Sequence, residues 1–250
     1  MALPPLRRVI LLLVAIVVAA TCVRLGLWQL SRLHGRRQVN AVIAANFAQP
    51  PRPLQDLMAH TDPASLGYRQ AEVRGTYDPA HEVILFGRSS AEGRSGNQVL
   101  TPLVMNDGTT ILVNRGWVPP QDVTTPLTGE AAAPTGPVDV SGILFPPDAR
   151  TPPAPGATPS PVVTIVNLEQ LSAQMPHPLL PVYLLLQHQQ PAQPGPLPEP
   201  PPMPVLDDGP HLSYALQWFS FATIALVGYV VLVRRDRRDE RRAARAEAEG

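Results

Sequence analysis

Few side chains in this sequence are both reactive by type and placed by spacing to act together. They lie where two long apolar segments meet polar sequence. His211, Tyr214, Trp218 and Phe221 recur at 3–4–3 spacing, which puts them on one helical face. An imidazole on an aromatic face at the head of an apolar helix can be an axial ligand to haem iron. It can equally cap the helix or contact lipid, with no metal involved. Gln217 precedes Trp218, and the pair Trp28-Gln29 closes the other apolar segment. Tryptophan at such a boundary anchors a helix at a membrane interface. A glutamine in apolar surroundings needs a hydrogen-bonding partner, and Gln29 and Gln217 are each other's nearest candidates.

Other chemistry is poorly supplied. The single cysteine, Cys22, lies inside the first apolar segment, so no disulfide can form within the chain and no cysteine pair can bind copper or zinc. His34, His60, His81, His177, His188 and His211 form no HxH, HxxxH or HExxH pattern. There is no GxSxG, no P-loop and no GxGxxG. The acids are scattered among turns, so the expectation is a non-enzyme. The formal net charge is zero, which excludes a nucleic-acid binder working by bulk charge. That average conceals three blocks: six arginines and no acid in residues 1–37, seven arginines against fifteen acids in 38–210, and seven against five in 211–250. All positive side chains are arginine.

The elements that must position these residues are two helices. Thirty of the 32 prolines fall between Pro50 and Pro210, and none in 6–49 or 211–250. Proline breaks helix interiors, so long helices belong at the ends. Residues 9–30 and 212–233 are each 22 residues long, enough at ~1.5 Å per residue to cross a roughly 30 Å hydrocarbon layer. The first resembles a retained membrane helix more than a cleaved signal peptide, because its apolar character resumes after Arg24. Arg234, Arg235, Arg237 and Arg238 follow the second span at once and mark residues 234–250 as a cytoplasmic tail. Residues 1–8 are then cytoplasmic and 31–210 extracytoplasmic, in a two-span protein of the cell membrane. This leaves Arg32, Arg36 and Arg37 on the side the positive-inside rule disfavours. They either bind lipid phosphate or an acidic partner, or are outvoted by the C-terminal cluster.

Between the spans, Val39, Val42, Ile43 and Phe47 continue a helical period up to Pro50-Pro51. Strand-like runs follow at 69–77, 82–86, 99–105, 110–118, 138–145, 162–166 and 181–186, with a hairpin turn at Asn106-Asp107-Gly108. A short helix at 167–175 has Asn167 as its N-cap. Seven short strands predict an antiparallel β-rich domain, either a sheet or a partly closed barrel, and an α+β membrane protein overall. Residues 146–161 and 191–204 are proline-rich extended loops.

Four segments carry a family resemblance: RLGLWQLSRLHGRR (24–37), YRQAEVRGTYDPAHEVIL (68–85), GNQVLTPLV with ILVNRGWVP (96–104 and 111–119), and HLSYALQWFSFA (211–222). In order and spacing they resemble the Surfeit locus protein one family of cytochrome c oxidase assembly factors. The resemblance implies two membrane spans around an outer β-rich domain. It implies a role in haem-copper oxidase biogenesis when haem a reaches the catalytic subunit, which would be the partner. It also implies that His211 is the suspected ligand of haem a, and Trp218, Gln217, Trp28 and Gln29 are the candidate neighbours that the depth of the two segments supplies. Asn114, Arg115 and Gly116 match the family's N-R-G motif. They read as structural first, with Arg115 alternatively contacting a haem propionate. The alternative function is a cofactor-free membrane scaffold binding through its outer domain.

Overall fold

The computed structural model describes residues 5–122, 124–146, 160–203 and 206–248. The chain forms two compact units, Met1–Ala41 with Leu206–Gly250, and Val42–Val205.

The first unit is a pair of helices. Helix α1 runs Pro5–Phe47, and the expected extension to Phe47 is present. It ends just before Pro50-Pro51, as proline restricts the backbone of the residue before it. The second long helix of this unit, His211–Ala248, starts at the residue expected and then continues through the arginine-rich tail. That tail has no proline and is rich in Arg, Ala and Glu, all good helix formers. Both helices are long and apolar enough to cross a membrane. On the first, Ala19, Cys22, Gly26 and Leu33 are buried and Leu12, Ala15 and Gln29 half-buried. The 4–3 spacing of this stripe is that of an antiparallel coiled-coil seam. The facing stripe is Ala215, Trp218, Ala222, Ala225 and Tyr229. Small residues let the backbones approach: a Cβ on Gly26 would lie 2.6 Å from the Phe219 ring.

The second unit is β-rich. Strand β1 (Arg52–Pro53) leads into helix α2 (Leu54–His60). Then come β2 (Gln70–Tyr77), β3 (Val83–Ser89), β4 (Ser95–Met105), β5 (Thr110–Val118) and β6 (Pro137–Phe145). Strand β7 is only Val162–Val163, α3 is Leu168–Ser172 and β8 is Leu179–Gln190. The terminal helix His211–Ala248 is α4. The sheet order is β1-β2-β6-β8-β5-β4-β3-β7, with β2 also paired to β4. Strands β2, β6, β8, β5 and β4 therefore form a closed ring of pairings. The sheet is mixed, which corrects the antiparallel expectation: β1–β2, β3–β7 and β5–β8 are parallel. The last of these is topologically required, because five strands cannot close on themselves with every neighbour antiparallel.

Burial explains which residues line the ring. In β2, Ala71, Val73, Gly75 and Tyr77 are buried in strict alternation, and Ala71, Val73 and Tyr77 join Leu103, Ile111, Val113, Val138, Val140, Val182 and Leu184 in one core. A second cluster, Val83, Leu85, Leu100 and Leu112, lies under Val166, Leu168 and Leu171, the last two on α3. Asn167 caps α3 as expected, its side-chain oxygen accepting from Gln170 N–H at 3.0 Å. All nine residues of β5 are buried, polar Asn114 and Arg115 included. The loop expected at 146–161 falls largely outside the described residues.

Candidate functional site

Helix α4 opens at His211, and the seam with α1 decides what this imidazole meets. Its Nδ1 lies 2.9 Å from Gln29 Oε1, with both side chains half-buried. The amide oxygen can only accept, so Nδ1 donates and carries the proton. The Nε2 lone pair is thereby left as the acceptor, and it has no hydrogen-bond partner among the described residues. Gly209 lies beside it: a Cβ there would stand 3.6 Å from Nε2, in ordinary van der Waals contact. Gly209 has φ +65°, a turn conformation that glycine adopts without a Cβ penalty.

Gln29 therefore pairs with His211 and not with Gln217, as expected from depth alone. The seam follows 211, 215, 218, 222, and Gln217 is one residue, about 100°, away from Trp218, on the exposed side. Trp218 is half-buried against Ala19, Cys22 and Ala222, and meets Phe221 edge-on at 5.9 Å. Tyr214 and Phe221 are exposed flanks rather than members of the buried stripe. Trp28 also points away from the seam, at 54% exposure. Of the six expected site residues, the structure brings together His211 and Gln29, with Trp218 on the same seam.

The arginines at this end divide sharply. Arg37 pairs with Asp208 at 2.8 Å, and Arg36 with Asp207 at 3.8 Å. Asn40 donates to the Asp207 carbonyl at 2.7 Å. The acidic partner for these arginines is thus within the chain, three to four residues before His211. Asp207-Asp208 was the signal in the sequence that could have identified it. At the other end of the pair, Arg8 bonds Asp236 at 2.7 Å and also Glu240, and Tyr229 OH donates to the Arg8 carbonyl at 3.4 Å.

In the β-rich unit, Arg115 lies at the centre of a buried polar network. Its side chain has 0% exposure, as has that of Glu82, 3.2 Å away. One Nη donates to Ala131 O (3.0 Å), Ala132 O (2.9 Å) and Gln193 Oε1 (2.8 Å). The guanidinium also stands 5.6 Å over the Tyr77 ring. Glu82 further accepts from Thr101 OH and Leu127 N–H, each at 2.8 Å. Burial pushes the Glu82 carboxyl upward, against these donors, and pushes the Arg115 guanidinium downward, against the Glu82 charge. Burial likewise raises Tyr77.

This network receives the second proline-rich segment, which sequence reading left as a bare loop. Glu199 exchanges both backbone hydrogen bonds with Trp117, at 2.7 and 2.8 Å, and its carboxylate pairs with Arg94, which stacks 4.4 Å over the Trp117 ring. Gly116 has φ +131°, and a Cβ there would lie 1.9 Å from Glu199 O. Asn114 donates to Gln98 at 2.9 Å and accepts from Gly116 N–H at 3.1 Å. The N-R-G triplet thus locks residues 191–199 onto the end of β5. With its Nη groups directed at Glu82, backbone carbonyls and Gln193, Arg115 offers no solvent-facing fork to a propionate.

A model of the SURF1 family matches residues 16–223. A SURF1-like protein of Mycobacterium tuberculosis is 31% identical over 210 residues, covering 80% of this chain and 73% of the relative. Surfeit locus protein 1 of Mus musculus is 32% identical over 161 residues, 58% of this chain and 51% of its own. A SURF1-like protein of Rickettsia felis is 32% identical over 106 residues, 42% and 45% of the two chains.

Proposed function

The chain belongs to the SURF1 family, and from that premise we propose that it is a membrane-anchored assembly factor for haem-copper cytochrome c oxidase. In this reading α1 and α4 cross the cell membrane with both termini cytoplasmic, and the β-rich unit is extracytoplasmic. The observation that carries the cofactor part is the Gln29–His211 contact at 2.9 Å beside the side-chain-free Gly209. A histidine whose Nδ1–H is held by a neighbour presents a basic Nε2, the arrangement in which protein imidazoles ligate metals. When bound, haem a would supply an iron that accepts an imidazole nitrogen. His211 would hold that iron, Gln29 would fix the imidazole tautomer, and Trp218 and Phe221 offer apolar contact. The chain's role is to hold the group, or the catalytic subunit receiving it, without catalysis.

The test is an absorbance spectrum of the protein purified from cells that make haem a. A Soret band that disappears in His211→Ala supports the holding role. A wild-type protein with no Soret band under any haem a supply refutes it. That outcome favours the scaffold reading, for which the structure has a surface. A groove of about 670 Å³ lies over β2, β6 and β8, lined by Glu72, Arg74, Asp139, Ser141, His188 and Gln190, and is suited to a polar protein partner.

A further inference from the structure

Four arginines lie on α1 between its apolar stretch and residue 37: Arg24, Arg32, Arg36 and Arg37. Arg36 and Arg37 are neutralised by Asp207 and Asp208. Arg24 and Arg32 have no ion pair or hydrogen bond among the described residues. They stand at i and i+8 with Trp28 at i+4, so one face of α1 carries cation, indole and cation over about 12 Å of axis. All three are exposed; relative to the seam with α4, whose positions are 22, 26, 29 and 33, Arg24 lies opposite and the face turns through Trp28 to Arg32 at its flank.

Two polar cross-links bracket the apolar stretch of α1. Arg8 with Asp236 and Glu240 marks one end, and Gln29 with His211 the other. The 21 steps from Arg8 to Gln29 span roughly 32 Å, against a hydrocarbon core of about 30 Å. Arg24 then lies about 7 Å inside the outer boundary and Arg32 about 5 Å beyond it. Phosphate groups of a bilayer lie several Å outside that boundary, at about the level of Arg32, and Arg24 reaches toward them along its own stem past Trp28. A charge at the depth of Arg24 is expensive unless it is paired. The guanidinium fork matches a phosphate diester bidentately. Val23 and Leu27, both exposed, continue the face on the apolar side and suit an acyl chain.

We propose that Arg24, Trp28 and Arg32 form a binding site for the headgroup of one anionic phospholipid, such as phosphatidylglycerol, in the outer leaflet. The proposal rests on the two-span reading above. Phosphate is common to all phospholipids, and the net anionic kind is favoured because it brings no ammonium to compete with the arginines.

Native mass spectrometry of the full chain, equilibrated in mixed micelles with equal phosphatidylcholine and phosphatidylglycerol, tests the site, and the mass of the adduct identifies the bound lipid. Wild type should retain phosphatidylglycerol in preference to phosphatidylcholine. Arg24→Gln/Arg32→Gln should reduce that preference at least fivefold, while Arg36→Gln/Arg37→Gln, equally helical by circular dichroism, keeps it. Equal retention by wild type and Arg24→Gln/Arg32→Gln, or an equal loss in both double variants, overturns the site. Release of wild type from membranes by alkaline carbonate overturns the two-span reading itself, and is seen independently of any lipid preference.

Discussion

Replacing Arg115 by methionine removes the cation of the buried network while keeping most of its volume. Glu82 then keeps Thr101 and Leu127 N–H as donors but loses its charged partner among the described residues. Breaking a buried pair in this way costs about 3–5 kcal/mol, chiefly because the remaining charge is uncompensated. Arg115 also holds two carbonyls and Gln193, so the upper half of that range, about 4–5 kcal/mol, is expected. For a unit of this size each kcal/mol moves the melting temperature by about 2–4 °C, giving a fall of about 8–20 °C. The sign with pH follows from Glu82, whose carboxyl is raised by burial. Only between its ordinary and its raised value is such an acid protonated in the folded state while already ionised in the unfolded one. Its folded-state stability is therefore greatest below the ordinary carboxylate range and is lost as pH rises through the raised value. In Arg115→Met the missing guanidinium raises Glu82 further, so the deficit against wild type should be smaller at pH 5 than at pH 8. Adding Glu82→Gln should recover at least about 2 kcal/mol of the loss. The assay is thermal melting of the full chain in detergent, following the β signal in far-ultraviolet circular dichroism. A melting point within about 3 °C of wild type, or a deficit independent of pH and unrelieved by Glu82→Gln, would refute the structural role of the N-R-G motif.

Two further substitutions test the strap and the helix seam. Gly116→Ala places a methyl against Glu199 O at a φ that L side chains rarely adopt. It should free residues 191–199 and accelerate limited proteolysis there severalfold, whereas unchanged cleavage would mean that the strap is held elsewhere. Gly26→Leu drives a side chain into the Phe219 ring, separating α1 from α4. Maleimide labelling of the buried Cys22 should then rise, and equal labelling would contradict the packing of the seam.

Local patterns in the sequence carried far, and failed where pairing is non-local. The run Thr110–Val118 reads as a strand from its own residues and is one. Asn167 reads as a cap because its side chain can reach an N–H three residues on. By contrast β8 continues to Gln190, beyond the expected 181–186, because Gln189 and Gln190 pair with Val140 and Asp139 of β6. Nothing in a polar stretch such as Gln187–Gln190 announces a strand, since the hydrogen bonds that make it one belong to a distant segment. Val162–Val166 shows the reverse: apolar and β-branched, it pairs only over two residues, and Val166 instead packs under α3. Residue type singled out Gln29 and His211, which the helix pair brings into contact, whereas depth alone paired Gln29 with Gln217. The rotation of a helix about its axis is set by its packed stripe, and that stripe was recognisable only once the 4–3 spacing of Ala215, Trp218 and Ala222 was opposed to Ala19, Cys22 and Gly26.

The same stripe explains why the polar contacts lie at the ends of the helix pair. In the two-span reading proposed above, apolar side chains in lipid gain nothing from leaving their surroundings, so small residues allow close approach without choosing one register over another. A hydrogen bond or ion pair chooses strictly, because a shift of one residue turns a helix by about 100° and removes the partner. Gln29 with His211 and Arg8 with Asp236 make that choice at opposite ends of a seam whose middle is Ala19, Cys22 and Ala222. The Asp207 and Asp208 pairs add a third tie just outside the first. Register and imidazole orientation are therefore one property: whatever holds α1 against α4 in this alignment also holds Nδ1 of His211 against Gln29 and leaves Nε2 beside Gly209.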